Sequence, residues 1–166
     1  MIFVLVSIVQ SVAISLGVGC STVAIVNFFV AISDGKIDEQ ERKMMGVVYI
    51  LLRVAMVLIL LTTSILGLFV YQNLGYIPTF VLSQWIVTVM LFVNATLMTK
   101  RIMPSNIGPA LQAATWYTLG VTMALVPLTL SRYSLFEFLL GYAAAIALAV
   151  SIVNGVMTHL KHKKPV

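Results

Sequence analysis

Four stretches of this chain run almost free of charge, and their spacing decides what it can fold into. Residues 1–33 hold no Asp, Glu, Lys, Arg or His, residues 44–99 hold only Arg53, residues 102–131 hold none, and residues 133–158 hold only Glu137. A helix needs roughly 20 apolar residues to cross a hydrocarbon core about 30 Å thick, so these blocks have room for one, two, one and one crossings. The expected fold is all-α: a polytopic membrane protein whose single domain, residues 1–166, is a bundle of five transmembrane helices. The spans are expected at about 3–31, 46–71, 78–99, 109–130 and 134–158.

Composition leads to the same place. The chain is 61% hydrophobic and 9% charged, with a mean hydropathy of +1.08, whereas soluble domains carry about 25% charged residues. Its net charge of +5 would suit a nucleic-acid partner in a soluble protein, but the distribution argues otherwise. With five crossings, Lys36, Arg42, Lys43, Lys100, Arg101, Lys161, Lys163 and Lys164 all fall on one side, and only Arg132 falls on the other. The positive-inside rule then sets the N-terminus outside and the C-terminus in the cytoplasm. The expected location is the cell membrane, the inner membrane of a bacterium, and the expected partner is the lipid bilayer, with no nucleic acid.

Met1-Ile2-Phe3-Val4 lacks the basic segment that opens a signal peptide, so the first span reads as a retained helix. Cys20 is the sole cysteine, which excludes an intramolecular disulfide and a cysteine zinc cluster.

Local signals punctuate the spans. Gly35 permits a turn after the first. Asp38, with Glu41 three residues on, has the form of a capping box for the second helix, and Ser134 with Glu137 repeats it at the fifth. Gln72-Asn73-Leu74-Gly75-Tyr76 reads as a turn, Pro78 and Pro109 suit first turns of helices, and Pro127 should kink the fourth span. Asp34-Gly35-Lys36-Ile37 with Glu41 matches the back half of an EF-hand loop, but Val30 and Ile32 would occupy its first and third ligand positions, and neither binds calcium.

Small residues recur every four positions at Ser7, Ser11, Ser15 and Gly19 in the first span and at Ala143, Ala147, Ser151 and Gly155 in the fifth. Such spacing gives one smooth helix face, along which backbones approach closely in lipid. These spans are therefore expected to be the packing helices, within one chain or between chains. The second, rich in leucine and isoleucine, is expected to face lipid at least in part. Either a homo-oligomer or a complex with a partner membrane subunit follows.

Candidate functional residues are polar groups at membrane depth. Arg53 either snorkels its guanidinium to the head groups or forms a site for an anion, a lipid head group or a carboxylate. Gly17, Gly19, Ser21 and Thr22 form either a close-packing notch or a point where the helix unwinds to offer carbonyls. Asn27, Asn94 and Gln112, with Gln84 and Asn154, can bond across helices or line a polar path. Trp85, Trp116 and Tyr117 are expected to pack between helices.

No catalytic set is apparent. His159 and His162 both lie near the C-terminus, and no carboxylate pair, metal-ligand cluster, glycine-rich phosphate loop or nucleophile triad occurs. No cofactor, no metal and no enzymatic activity are expected. The function expected is that of a transporter or channel subunit for a small solute or ion, assembling through its small-residue faces. The alternative is a non-catalytic membrane scaffold or anchor subunit.

Overall fold

Helix is the only way an apolar segment of this length can satisfy its own backbone hydrogen bonds away from water without closing a barrel, and the chain takes it throughout. A computed structural model describes residues 1–34, 38–100, 102–104, 107–126 and 133–162. They form α1 (Ile2–Asp34), α2 (Glu39–Leu74), α3 (Thr79–Thr99), α4 (Gly108–Leu125) and α5 (Leu135–His162). The turn expected at Gly35, the kink at Pro127, and Lys36, Arg101, Arg132, Lys163 and Lys164 lie outside the described residues.

The ends obey the local signals. Asp38 accepts from the Glu41 amide at 2.6 Å and Glu41 accepts from the Asp38 amide at 3.0 Å, closing the capping box of α2. Gly75 ends that helix in the left-handed region, φ 74°, where a side chain is penalised. At α5, Ser134 and Glu137 exchange amide bonds of 2.7 and 3.2 Å. α2 has 36 residues and so runs about 54 Å, well beyond an apolar slab. Its first turns are charged, with Lys43 and Glu39 paired at 2.9 Å.

Four of the five helices are long and apolar enough to cross a membrane: Ile2–Ala31, Glu39–Leu74, Thr79–Thr99 and Leu135–Leu160. α4, at 18 residues, is the exception, and its surroundings explain why. It sits among α1, α3 and α5 and buries Gly108, Ala110, Gln112, Ala113, Ala114, Thr115, Trp116, Leu119 and Thr122. A helix that faces protein on most sides needs less apolar surface than one that faces lipid.

The core gathers Ala13, Ile14, Ala55, Ile59, Val87, Leu91, Trp116 and Leu119 from the first four helices. The broadest seam joins α1 to α2, while α5 rests mainly on α4. α2 is bulky and shows Val54, Leu61 and Leu68 outward, yet it contributes Leu52, Ala55, Met56, Ile59, Thr62 and Thr63 to the interior. The small-residue stripes face the other way. Ser11, Ser15, Gly19, Ala143, Ala147, Ser151 and Gly155 are exposed, and Ser7 is half-buried. α1 turns the adjacent face inward, with Gln10, Ala13, Ile14, Gly17 and Ser21. A physical reason lies in the side chains themselves. Ser151 returns its hydroxyl proton to the Ala147 carbonyl at 2.8 Å, so it carries no unmet bond into lipid. A glutamine has no such outlet and is driven inside.

Candidate functional site

Two buried hydrogen-bonding clusters occupy the interior. In the first, Gln10 of α1 donates to Thr63 Oγ1 of α2 at 3.1 Å and to Gln84 Oε1 of α3 at 3.4 Å. Gln84 reaches Met123 Sδ of α4 at 3.8 Å, and Thr88 and Thr122 are buried nearby in the sequence of the same helices. In the second, Thr115 of α4 gives its proton to the Leu111 carbonyl at 2.7 Å and takes one from Asn94 Nδ2 of α3 at 3.2 Å. With that proton spent, the 2.9 Å contact to Tyr142 of α5 has the phenol as donor.

Next to Thr115 stands Trp116, fully buried on α4, its ring laid on Gly17 of α1. A methyl built at Gly17 would overlap that ring. On α1, Gln10 lies seven residues to one side of Gly17 and Ser21 four to the other; on α4, Thr122 lies six residues to one side of Trp116 and Gln112 four to the other. Along these two helices buried polar side chains thus occur on both sides of the ring, with the second cluster at its own level.

Several buried polar atoms have no partner: Asn94 Oδ1, Gln112 Oε1, Asn27 Nδ2 and Trp116 Nε1. Gln112 and Ser21 border a void of about 30 Å³, closed by Leu52, Met98 and Pro109 among others. That volume admits a water molecule, which needs roughly 10–15 Å³, and the orphan carbonyl offers it an acceptor.

Gly17, Ser21, Asn94 and Gln112 are each buried, Ser21 and Gln112 on one small void, Asn94 on Thr115 and Gly17 on Trp116, while Asn27 is half-buried. Gly19 and Thr22 are exposed. Thr22 bonds the Val18 carbonyl at 2.8 Å and Tyr117 Oη at 2.7 Å, and α1 runs unbroken through this segment, so no carbonyls are unwound there. Arg53 lies on the exposed face of α2 with its neighbours Val54 and Val57, away from both clusters. Trp85 is half-buried and Tyr117 exposed.

Gln10, Thr63, Thr115 and Tyr142 were not foreseen as a set. A signal existed for the first: Gln10, Ala13, Gly17 and Ser21 recur at three- and four-residue steps, which places the glutamine on the same helix face as the glycine notch. The hydroxyls gave none, because threonine in a membrane helix bonds its own preceding turn wherever it points.

A second concavity opens sideways between α4 and α5, roofed at one end by Ile25 and Phe29 of α1, with a volume of about 810 Å³. Among the described residues no group of three His, Cys, Asp or Glu side chains is placed to hold a metal. No family model, no curated protein and no solved structure matches the chain.

Proposed function

We propose that this chain crosses the membrane five times, N-terminus outside and C-terminus in the cytoplasm, and serves as a small non-enzymatic transport protein or channel subunit of a bacterial inner membrane. The observation that carries the reading is the run of buried polar side chains on α1 and α4 interrupted by the Trp116 ring on Gly17, with Gln10 and Thr122 to one side and Ser21 and Gln112 to the other. Polar groups at membrane depth are costly and cluster along solute pathways, and a bulky apolar constriction between wetted zones is a familiar way to occlude one. The ends of the proposed path are lined with amides and hydroxyls, with no charged side chain in either cluster. The cargo that fits is a small uncharged solute with hydrogen-bonding groups, rather than an ion that needs countercharge.

Arg53 then has a peripheral role, its guanidinium rising to lipid head groups along the outside of α2. Flux into proteoliposomes tests the proposal. A panel of water, urea and glycerol is offered to the wild type, to Trp116→Phe and to Trp116→Ala. Faster entry of at least one solute through Trp116→Ala supports the path, with Trp116→Phe close to the wild type. Impermeability of all three proteins, with Trp116→Ala still folded, defeats it.

A second reading, a membrane scaffold or anchor subunit, draws on the exposed Ala143, Ala147, Ser151 and Gly155 face of α5. Close helix association in lipid uses such faces, with a second copy or a partner membrane subunit on the other side. Absence of flux together with a fixed stoichiometric partner in a mild-detergent pull-down favours this one.

A further inference from the structure

The groove between α4 and α5 has a chemistry that the polar interior does not share. Its floor is Gly141, Ala145 and Ala149 of α5 with Ala113 and Ala114 of α4. The polar groups in its wall are all spent inside the protein. Tyr117 is bound to Thr22 at 2.7 Å, Tyr142 to Thr115 at 2.9 Å and Tyr133 to Ser83 at 2.8 Å. Thr118 and Thr122 each return a proton to their own helix at 2.8 Å. One polar group remains. Glu137, at the start of α5, borders the groove at one end. Its Oε2 closes the capping box with Ser134, and its side chain is exposed.

A groove that is dry along its length and anionic at one tip is the negative of an amphiphile with a positive head. We infer that it is a lateral binding site for a membrane lipid with an amine head group, its ammonium at Glu137 and one acyl chain lying along α5. The groove is long enough for one acyl chain: from Glu137 to Val153, both on its border, it follows 16 residues of helix, about 24 Å, longer than one leaflet of a 30 Å core. Charge complementarity selects the head group, since an anionic lipid would meet the carboxylate unfavourably. The site does not depend on whether the interior conducts.

Electron paramagnetic resonance of the full chain in phosphatidylcholine vesicles tests the inference, with spin-labelled phosphatidylethanolamine and phosphatidylglycerol of identical chains as probes. A methyl built at Gly141 or at Gly155 meets nothing within 4 Å, so leucine at either position leaves the packing intact, but only Gly141 borders the groove. The expected result is an immobilised phosphatidylethanolamine population that Gly141→Leu removes and Gly155→Leu keeps. Glu137→Gln preserves the capping box, which accepts glutamine at that place, and should lower the preference for the amine lipid about two- to fivefold. Glu39→Gln, which changes net charge equally at the far end of α2, should not. Lack of an immobilised population, its survival in Gly141→Leu, or equal effects of the two glutamine variants would overturn the inference, whatever the flux assays show.

Discussion

The α1/α4 seam and the α4/α5 seam are built from the same kind of residue and end in opposite states. At the first, Gly17 of α1 meets the fully buried ring of Trp116 of α4, leaving no room there for a methyl. At the second, Gly141, Ala145 and Ala149 face Ala113 and Ala114, and the space between stays open. Small residues therefore permit close approach without producing it. What closes a seam in lipid is a large side chain aimed at the small one, or hydrogen bonds across it. The α1/α4 seam has both, through Trp116 on Gly17 and Tyr117 bonded to Thr22. α5 has the Tyr142 bond to Thr115 at 2.9 Å, which tethers one point and leaves the rest apart.

The sharpest way to break this contrast is Gly17→Ala. The new methyl overlaps a ring that has no exposed side toward which to move, and overpacking of this kind costs about 3 kcal/mol. Unfolding of purified protein in mixed detergent–SDS micelles should show that loss. Because the clash is with one ring, the double variant with Trp116→Ala should lose less than the two single losses added.

Next in size is Gln10→Leu. It leaves Thr63 Oγ1 and Gln84 Oε1 without their shared donor. Hydrogen bonds between membrane helices measure about 0.6 kcal/mol on average and up to about 1.7, so two lost bonds should cost about 1–2 kcal/mol in the same titration. A variant as stable as the wild type would mean that the cluster is held by its apolar neighbours and that Gln10 is bystander to it.

These two variants also mark where the sequence was readable and where it was not. Helices and their caps were legible, because charge-free length and Ser/Asp with Glu three residues on are local properties: the span expected at 46–71 lies inside α2, and the one expected at 134–158 lies inside α5 but for its capping Ser134, with both capping boxes formed. The inward face was harder. The four-residue stripes of Ser7 and Ala143 drew the eye because small residues make a visible period, yet nothing forces them inside. Gln10 made no period of its own but has an amide that the surrounding hydrocarbon rejects. The fourth span is expected at 109–130, and α4 is described over Gly108–Leu125, residues 127–130 lying outside the described residues. Its moderate hydropathy is the mark of a helix surrounded by others, a tertiary fact that local pattern does not hold. Of the interior residues, Gly17, Ser21, Asn94 and Gln112 were picked out by being small or amide at membrane depth. Thr115 and Tyr142 became partners only when α4 and α5 were brought together.

The smallest expected effect is the most pointed, because it repeats the substitution that should be worst. Gly155→Ala places the same methyl on α5 as Gly17→Ala places on α1, but here it meets nothing within 4 Å. Alanine spares the backbone freedom that glycine loses in a helix, worth up to about 1 kcal/mol in exposed positions, so the variant should gain about 0.5 kcal/mol in the micelle titration. The opposite sign at two glycines would establish that the seams differ in what stands across from them, not in what they are made of. If Gly155→Ala instead destabilises, and does so only at protein concentrations where the chain self-associates, the open face of α5 is covered by a second molecule. The contrast between the two seams would then be one between a contact made within the chain and one made between chains.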